Sequence, residues 1–144
     1  MEVLAMDLGD TAGYAHTCGV SGNWIYKKRR GDSPGLRFLK LRNWLERFLD
    51  NHKTSLIAYE QAHHRGGAAT HVLHGYIATV EQVAAERNLE LSARHSASIK
   101  KFATNNGRAS KEEMIVAALQ FGGYPQDDNE ADAICLLRLV ETEE

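Results

Sequence analysis

Apolar and polar positions along the chain change period once, near residue 36. Before it, "EVLAMDLG", "GYAHTCGV" and "GNWIYKK" are short runs of small and β-favouring residues bounded by Gly or Asn, a pattern that predicts three strands. "GVSGNW" reads as the hairpin loop between the second and third, so the three predict an antiparallel meander. "KKRRGDSPG" follows as a basic loop. From Leu36 onward the apolar residues Leu36, Leu39, Leu41, Trp44, Leu45, Phe48 and Leu49 recur at helical spacing, with Arg and Lys on the other side. "TSLIAYE" then predicts a short buried strand ending in an acid, "GGAATHVLHGYIATVEQVAAER" a long helix, and "LELSAR" another strand. "ASIKKFAT" and "SKEEMIVAALQFGG" predict helices split by the polar loop "NNGRA", the second closing on Gly122. A last helix starts in "DDNEADAICLL" and runs to about Val140, followed by a charged tail.

The predicted order is βββ-α-β-α-β-α with extra helix near the end. Three antiparallel strands followed by αβαβ crossovers make an α/β fold: a mixed five-stranded sheet covered on both faces. This order resembles the ribonuclease H-like arrangement. At 144 residues the chain suits a single domain over 1–144, long enough to bury a core. No apolar run approaches the roughly 20 residues of a membrane span, and "MEVLAMDLG" lacks the basic start of a signal peptide. Cys18 and Cys135 are far apart and form no CxxC, so they read as buried small side chains in a reducing cytoplasm.

Charge changes the picture more than composition does. The net charge of −2 divides unevenly: residues 1–126 carry 16 Lys and Arg against 12 Asp and Glu, whereas residues 127–144 carry one against seven. A mildly basic body therefore remains compatible with a polyanionic ligand. In the acidic end, Asp128 and Asp132 are four residues apart, which stacks like charges on one helical face. Asp7 lies in the first strand and Glu60 ends the central one. Singly, such acids serve as turn formers or helix caps. Together they converge on the crevice at the ends of adjacent strands. Like charges gathered there raise one another's pKa and destabilise the fold unless a cation neutralises them. Oxygen-only ligands select a hard divalent ion, Mg²⁺ or Mn²⁺, and two such ions roughly 4 Å apart suit in-line hydrolysis of a phosphodiester.

"MDLG", "YEQ", "IKKFATNNGRASKEEMI" and "DDNEADAICLL", in that order and spacing, resemble the RuvC-type Holliday-junction resolvases, especially the compact phage-type members, over residues 2–140. The resemblance implies a homodimeric, Mg²⁺-dependent endonuclease that nicks two opposing strands of four-way DNA, in recombination, repair or genome packaging. It implies a cytoplasmic location in a bacterium or phage-infected cell. It also implies a site of four acids, or three acids and a His, with Asp7, Glu60 and Asp132 matching three positions. The family's fourth position corresponds to Asn129, a neutral and poorer ligand; Asp128, one turn before Asp132, is the better chemical candidate, with Asn129 auxiliary. Lys100 and Lys111 match two lysines that the family places at the DNA backbone. In physical terms Lys100, Lys101, Arg108 and Lys111, with the glycine loop and a positive helix end, form a phosphate-positioning surface or a solvated basic face.

Where the family carries an aromatic wedge, this chain reads "AHHRGG", with His63 nearest and Arg65 beside it as candidates to face DNA. The histidines do not read as a zinc site, since no thiol is near and His71 and His74 fall on a helix. "KKRR" at 27–30 is either a basic hairpin end touching duplex arms or a solvated turn. The helix from Ala68 to Ala85 is the expected dimer surface, because Val72, Leu73, Tyr76, Ile77 and Val80 exceed what one core face needs. Two other readings stay open: a nuclease for RNA–DNA hybrids or flaps, built on identical acids, and a branched-DNA binding protein with impaired catalysis.

Overall fold

The computed structural model describes residues 1–62 and 66–143. Five strands form one sheet in the order β3-β2-β1-β4-β5: β1 (Val3–Asp7), β2 (Thr11–His16), β3 (Ser21–Ile25), β4 (Leu56–Glu60) and β5 (Glu90–Arg94). β1 pairs antiparallel with β2 and β2 with β3, while β4 runs parallel to β1 and to β5. The helices are α1 (Leu36–Asn51), α2 (Gly67–Arg87), α3 (Ser96–Thr104), α4 (Lys111–Gln120) and α5 (Asp128–Thr142). The expected mixed sheet and its helical cover are therefore present.

The period-two alternation of the strands builds a different core on each face. Leu4, Met6, Ile57 and Tyr59 point towards α1 and α2, where Leu41, Leu45, Tyr76, Val80 and Val83 are buried. Val3, Ala5, Ala15, Leu56 and Ala58 point towards α3, α4 and α5. This second face is lined by small residues, so α5 lies close to the sheet. Its own Ile134, Leu136 and Val140 are buried there, each contributing about 1.5–3 kcal/mol. At Gly13 an added Cβ would overlap the Asn129 backbone carbonyl, so the first turn of α5 rests directly on the backbone of β2.

The hairpin departs from expectation. β2 starts at Thr11 and keeps Gly13 inside the strand rather than at its border, and the turn is Thr17–Val20 rather than "GVSGNW". Gly19 adopts φ 99° there, His16 N–H donates to the Val20 carbonyl at 2.8 Å, and the Val3 N–H donates to Thr17 Oγ1 at 3.1 Å. Gly22 lies within β3 opposite Tyr14, where a Cβ would meet the Tyr14 hydroxyl. Cys18 sits in this turn and is exposed, contrary to its expected burial; Cys135 is buried.

α2 is also corrected. Tyr76 and Val80 are fully buried in the chain's own core and are not surplus; only Val72, Leu73 and Ile77 remain half-buried at its edge. α5 continues past Val140 to Thr142, where Arg94 ties Glu143 to β5 through a hydrogen bond of 2.8 Å from Nη1 to Oε1. Among the described residues no helix is long and apolar enough to cross a membrane.

Candidate active site

The parallel pairing of β1 with β4 places Ala5 opposite Ala58 and Met6 opposite Tyr59. One step further along, Asp7 and Glu60 end the two central strands on the face that α5 covers. Asp7 also pairs across β2 with Gly13, the residue on which α5 rests. The close approach allowed by that glycine carries Asp132, one turn into α5, to the same strand ends. Carboxylate oxygens of Asp7, Glu60 and Asp132 all lie within 4.8 Å of one another.

Electrostatics at this spacing is severe. Two full charges 4.8 Å apart repel by about 3–4 kcal/mol at an effective dielectric near 20. Three such pairs rival the roughly 5–15 kcal/mol that holds a whole domain together. Three ionised carboxylates therefore do not coexist there unaided. Burial, then the charges of Glu60, Asp132 and Asp128, push the Asp7 carboxyl well above the usual carboxylate range. Burial, then Glu60 and Asp128, push Asp132 up to about 7, partly opposed by the Lys100 ammonium.

The donor set fits a hard divalent cation. It consists of three carboxylates, with no thiol or imidazole among the described residues of the cluster. The helix that brings Asp132 is itself held by polar anchors. Asp127 caps α5 by accepting from the Glu130 N–H at 2.9 Å. Glu130 is buried and faces away from the cluster, accepting from Ser21 Oγ at 2.7 Å and from the Gln126 N–H at 3.0 Å. Gly13 and Glu130 are thus positioning residues: helical spacing puts Glu130 off the Asp128–Asp132 face, as found, but neither anchoring contact is read from the sequence. A glycine inside a strand pattern was the available signal for the first; a bond spanning from residue 21 to residue 130 leaves no local trace for the second.

The remaining candidates distribute unequally. Asp128 lies outside the 4.8 Å set, yet its charge acts on both Asp7 and Asp132, and Lys111 Nζ stands 3.7 Å from its Oδ2. Asn129 has its backbone against Gly13. Lys100 borders the cluster, lining a small cleft with Glu60, Ser96, Ile99, Met114 and Asp132. Lys101 and Arg108 are exposed on α3 and in the following loop. The start of α4 differs from the expected open helix end. Ser110 and Glu113 form a capping box, with the Glu113 N–H donating to Ser110 Oγ at 3.1 Å, and the acids Glu112 and Glu113 offset the helix dipole. The positive charge at this end is carried by the lysine side chains. His63 and Arg65 lie outside the described residues.

No protein-family model matches this chain, and no curated protein does. Solved structures of Thermus thermophilus RuvC are similar to it. One is 19% identical, covering 94% of this chain and 90% of that one, with a TM-score of 0.74. The other, T. thermophilus RuvC in complex with Holliday junction substrate, has the same identity and coverage and a TM-score of 0.79. The chain has the RuvC-type fold, a ribonuclease H-like mixed sheet of five strands with helices on both faces.

Proposed function

We propose that this protein is a structure-selective endodeoxyribonuclease that hydrolyses phosphodiesters in four-way DNA junctions, nicking two opposing strands as a homodimer. The observation that carries the reading is the convergence of Asp7, Glu60 and Asp132 within 4.8 Å at the ends of two adjacent parallel strands. The T. thermophilus protein of the same fold, solved with a Holliday junction substrate, supports the substrate class.

Asp7, Glu60, Asp132 and, as fourth ligand, Asp128 hold Mg²⁺ or Mn²⁺, two ions per site; when bound, the metal activates the attacking water and stabilises charge on the leaving oxygen. Glu60 and Asp7 are held by strand ends and Asp132 by a helix packed on them, so the ligands meet the scissile phosphate already oriented. Lys100, beside Asp132, and Lys111, beside Asp128, offer ammonium groups to the non-bridging phosphate oxygens. Lys101, Arg108, His63 and Arg65 extend the contact to flanking backbone. The half-buried Val72, Leu73 and Ile77 on α2 are the apolar residues available to a second copy.

The test is cleavage of labelled four-way, three-way, flap, RNA–DNA hybrid and linear substrates, with Mg²⁺ and with EDTA. Paired symmetric nicks in the four-way junction alone are expected. Preferential cutting of hybrids or flaps would reassign the substrate, and junction binding without any cutting would make the protein a binder. Asp7→Asn is expected to lower cleavage by about 10³-fold or more while junction binding persists; retained cleavage would remove Asp7 from the metal site.

A further inference from the structure

The loop from Lys27 to Gly35 leaves β3 at the same end of the sheet as the acid cluster. Asn23 lies across Gly13 from Asp7, and Ile25 pairs with Thr11. Two strand spacings separate β3 from β1, about 10 Å. The loop is built around one acid. Asp32 Oδ2 accepts from the Tyr26 hydroxyl at 2.6 Å and from the Arg29 N–H at 2.9 Å, and the Asp32 N–H returns to the Arg29 carbonyl at 3.1 Å. Gly31, at φ 86°, makes the reversal possible.

The consequence is directional. The single acid of the loop points inward, and Lys27, Lys28, Arg29 and Arg30 are all exposed. None of these four side chains forms an ion pair or hydrogen bond with a described residue. Two more cations join them on the Tyr26 ring, with the Arg37 guanidinium 5.3 Å and the Lys40 ammonium 5.7 Å from its centroid. The neighbouring acid Asp10 is engaged by Arg37 at 3.7 Å and by the Tyr76 hydroxyl. Five exposed cations, Lys27, Lys28, Arg29, Arg30 and Lys40, thus lie around one loop acid, while Arg37 is mostly buried and paired with Asp10. A solvated turn requires none of this: neither a buried tyrosine holding two cations nor a carboxylate withdrawn to organise the backbone.

We infer that the Lys27–Arg30 loop, with Lys40, is a second phosphate-binding surface that grips the duplex arm beside the scissile phosphate. The inference rests on the proposed action on branched DNA and extends it to a part of the chain outside the acid site. Contacts of this kind are independent of sequence and release counterions, so they register in the salt dependence of binding.

The experiment measures the affinity of the full chain for a four-way junction and for linear duplex across a salt series. The combined variant Lys27→Gln, Lys28→Gln, Arg29→Gln, Arg30→Gln is expected to bind both more weakly. Its log–log salt slope should be shallower by about 2–4, at about 0.9 per lost phosphate contact. Lys53→Gln, at the opposite end of the sheet near His16, should leave the slope unchanged. Asp32→Ala removes a negative charge, so simple net charge predicts tighter binding; loss of the ordered loop predicts weaker binding, and that is the expected result. A wild-type slope in the combined variant, or tighter binding by Asp32→Ala, overturns the inference and leaves the proposed function standing. Failure of the wild type to bind branched DNA overturns both.

Discussion

At the scale of single residues, the acids of this chain differ in what they can do, although they look alike in sequence. Asp7, Glu60 and Asp132 were legible because two end strands of predicted β character and the third starts an apolar helix. That placement brings Asp7 and Glu60 side by side; the approach of all three to within 4.8 Å also needs the close seating of α5 on Gly13. Glu130 lies in the same acidic run yet is buried on Ser21 and the Gln126 N–H, turned away from the cluster. Asp128 and Asn129 are the two candidates for the proposed fourth ligand. Asp128 acts electrostatically on both Asp7 and Asp132 and carries Lys111 at 3.7 Å, whereas Asn129 meets Gly13 through its backbone. Asp128→Asn should therefore reduce Mg²⁺-dependent cleavage by about 10²-fold or more, the scale of a lost ligand or its close partner, with Asn129→Ala within about 10-fold of wild type. Single-turnover rates on a labelled junction decide it, and the reverse order would make Asn129 the fourth ligand.

At the scale of elements, the site depends on how closely α5 lies on the sheet. The strand and helix order could be read from the period of the apolar residues, since alternation and the 3.6 repeat each dictate a buried face. The tightness of the α5 contact could not, because it is set by a glycine on β2 meeting a backbone carbonyl more than a hundred residues later. The hairpin turn was misread for a related reason: Gly19 and Gly22 are equivalent in composition, but one turns the chain and the other makes room for Tyr14. Gly13→Ala tests the α5 contact directly. The new methyl must push the first turn of α5 off β2, at about 1–3 kcal/mol of stability. Because Asp132 moves with that turn, the Mg²⁺ concentration for half-maximal cleavage should rise well beyond what the stability loss explains. A variant that is destabilised but keeps the wild-type Mg²⁺ response would show that α5 placement does not govern the site.

At the scale of the whole molecule, the proposed metal site and the stability of the fold oppose each other through the same carboxyls. A carboxyl whose pKa is raised by folding holds its proton more tightly in the folded chain than in the unfolded one. For Asp132 the folded value is about 7, against roughly 4 when unfolded. Across that window the folded state carries the extra proton, so the contribution of Asp132 to stability falls as pH rises from about 4 to about 7. Asp7, shifted in the same direction, adds to the loss. A divalent cation held by these acids, as proposed, would bind their ionised forms, so its stabilisation would grow over the same window as protons cease to compete. In EDTA, the melting temperature should therefore decline between about pH 5 and about pH 8, and saturating Mg²⁺ should raise it far more at the higher pH. Asp132→Asn removes one of the three mutually repelling charges. The metal-free variant should be more stable than wild type near pH 8 by about 1–3 kcal/mol, with a flatter pH profile. Its response to Mg²⁺ should be largely lost. Thermal melts of both proteins over this pH range, with and without Mg²⁺, measure every one of these quantities. An equal Mg²⁺ shift at both ends of the range, or an Asp132→Asn variant less stable than wild type at high pH, would mean that the acids are not held together at the expense of the fold.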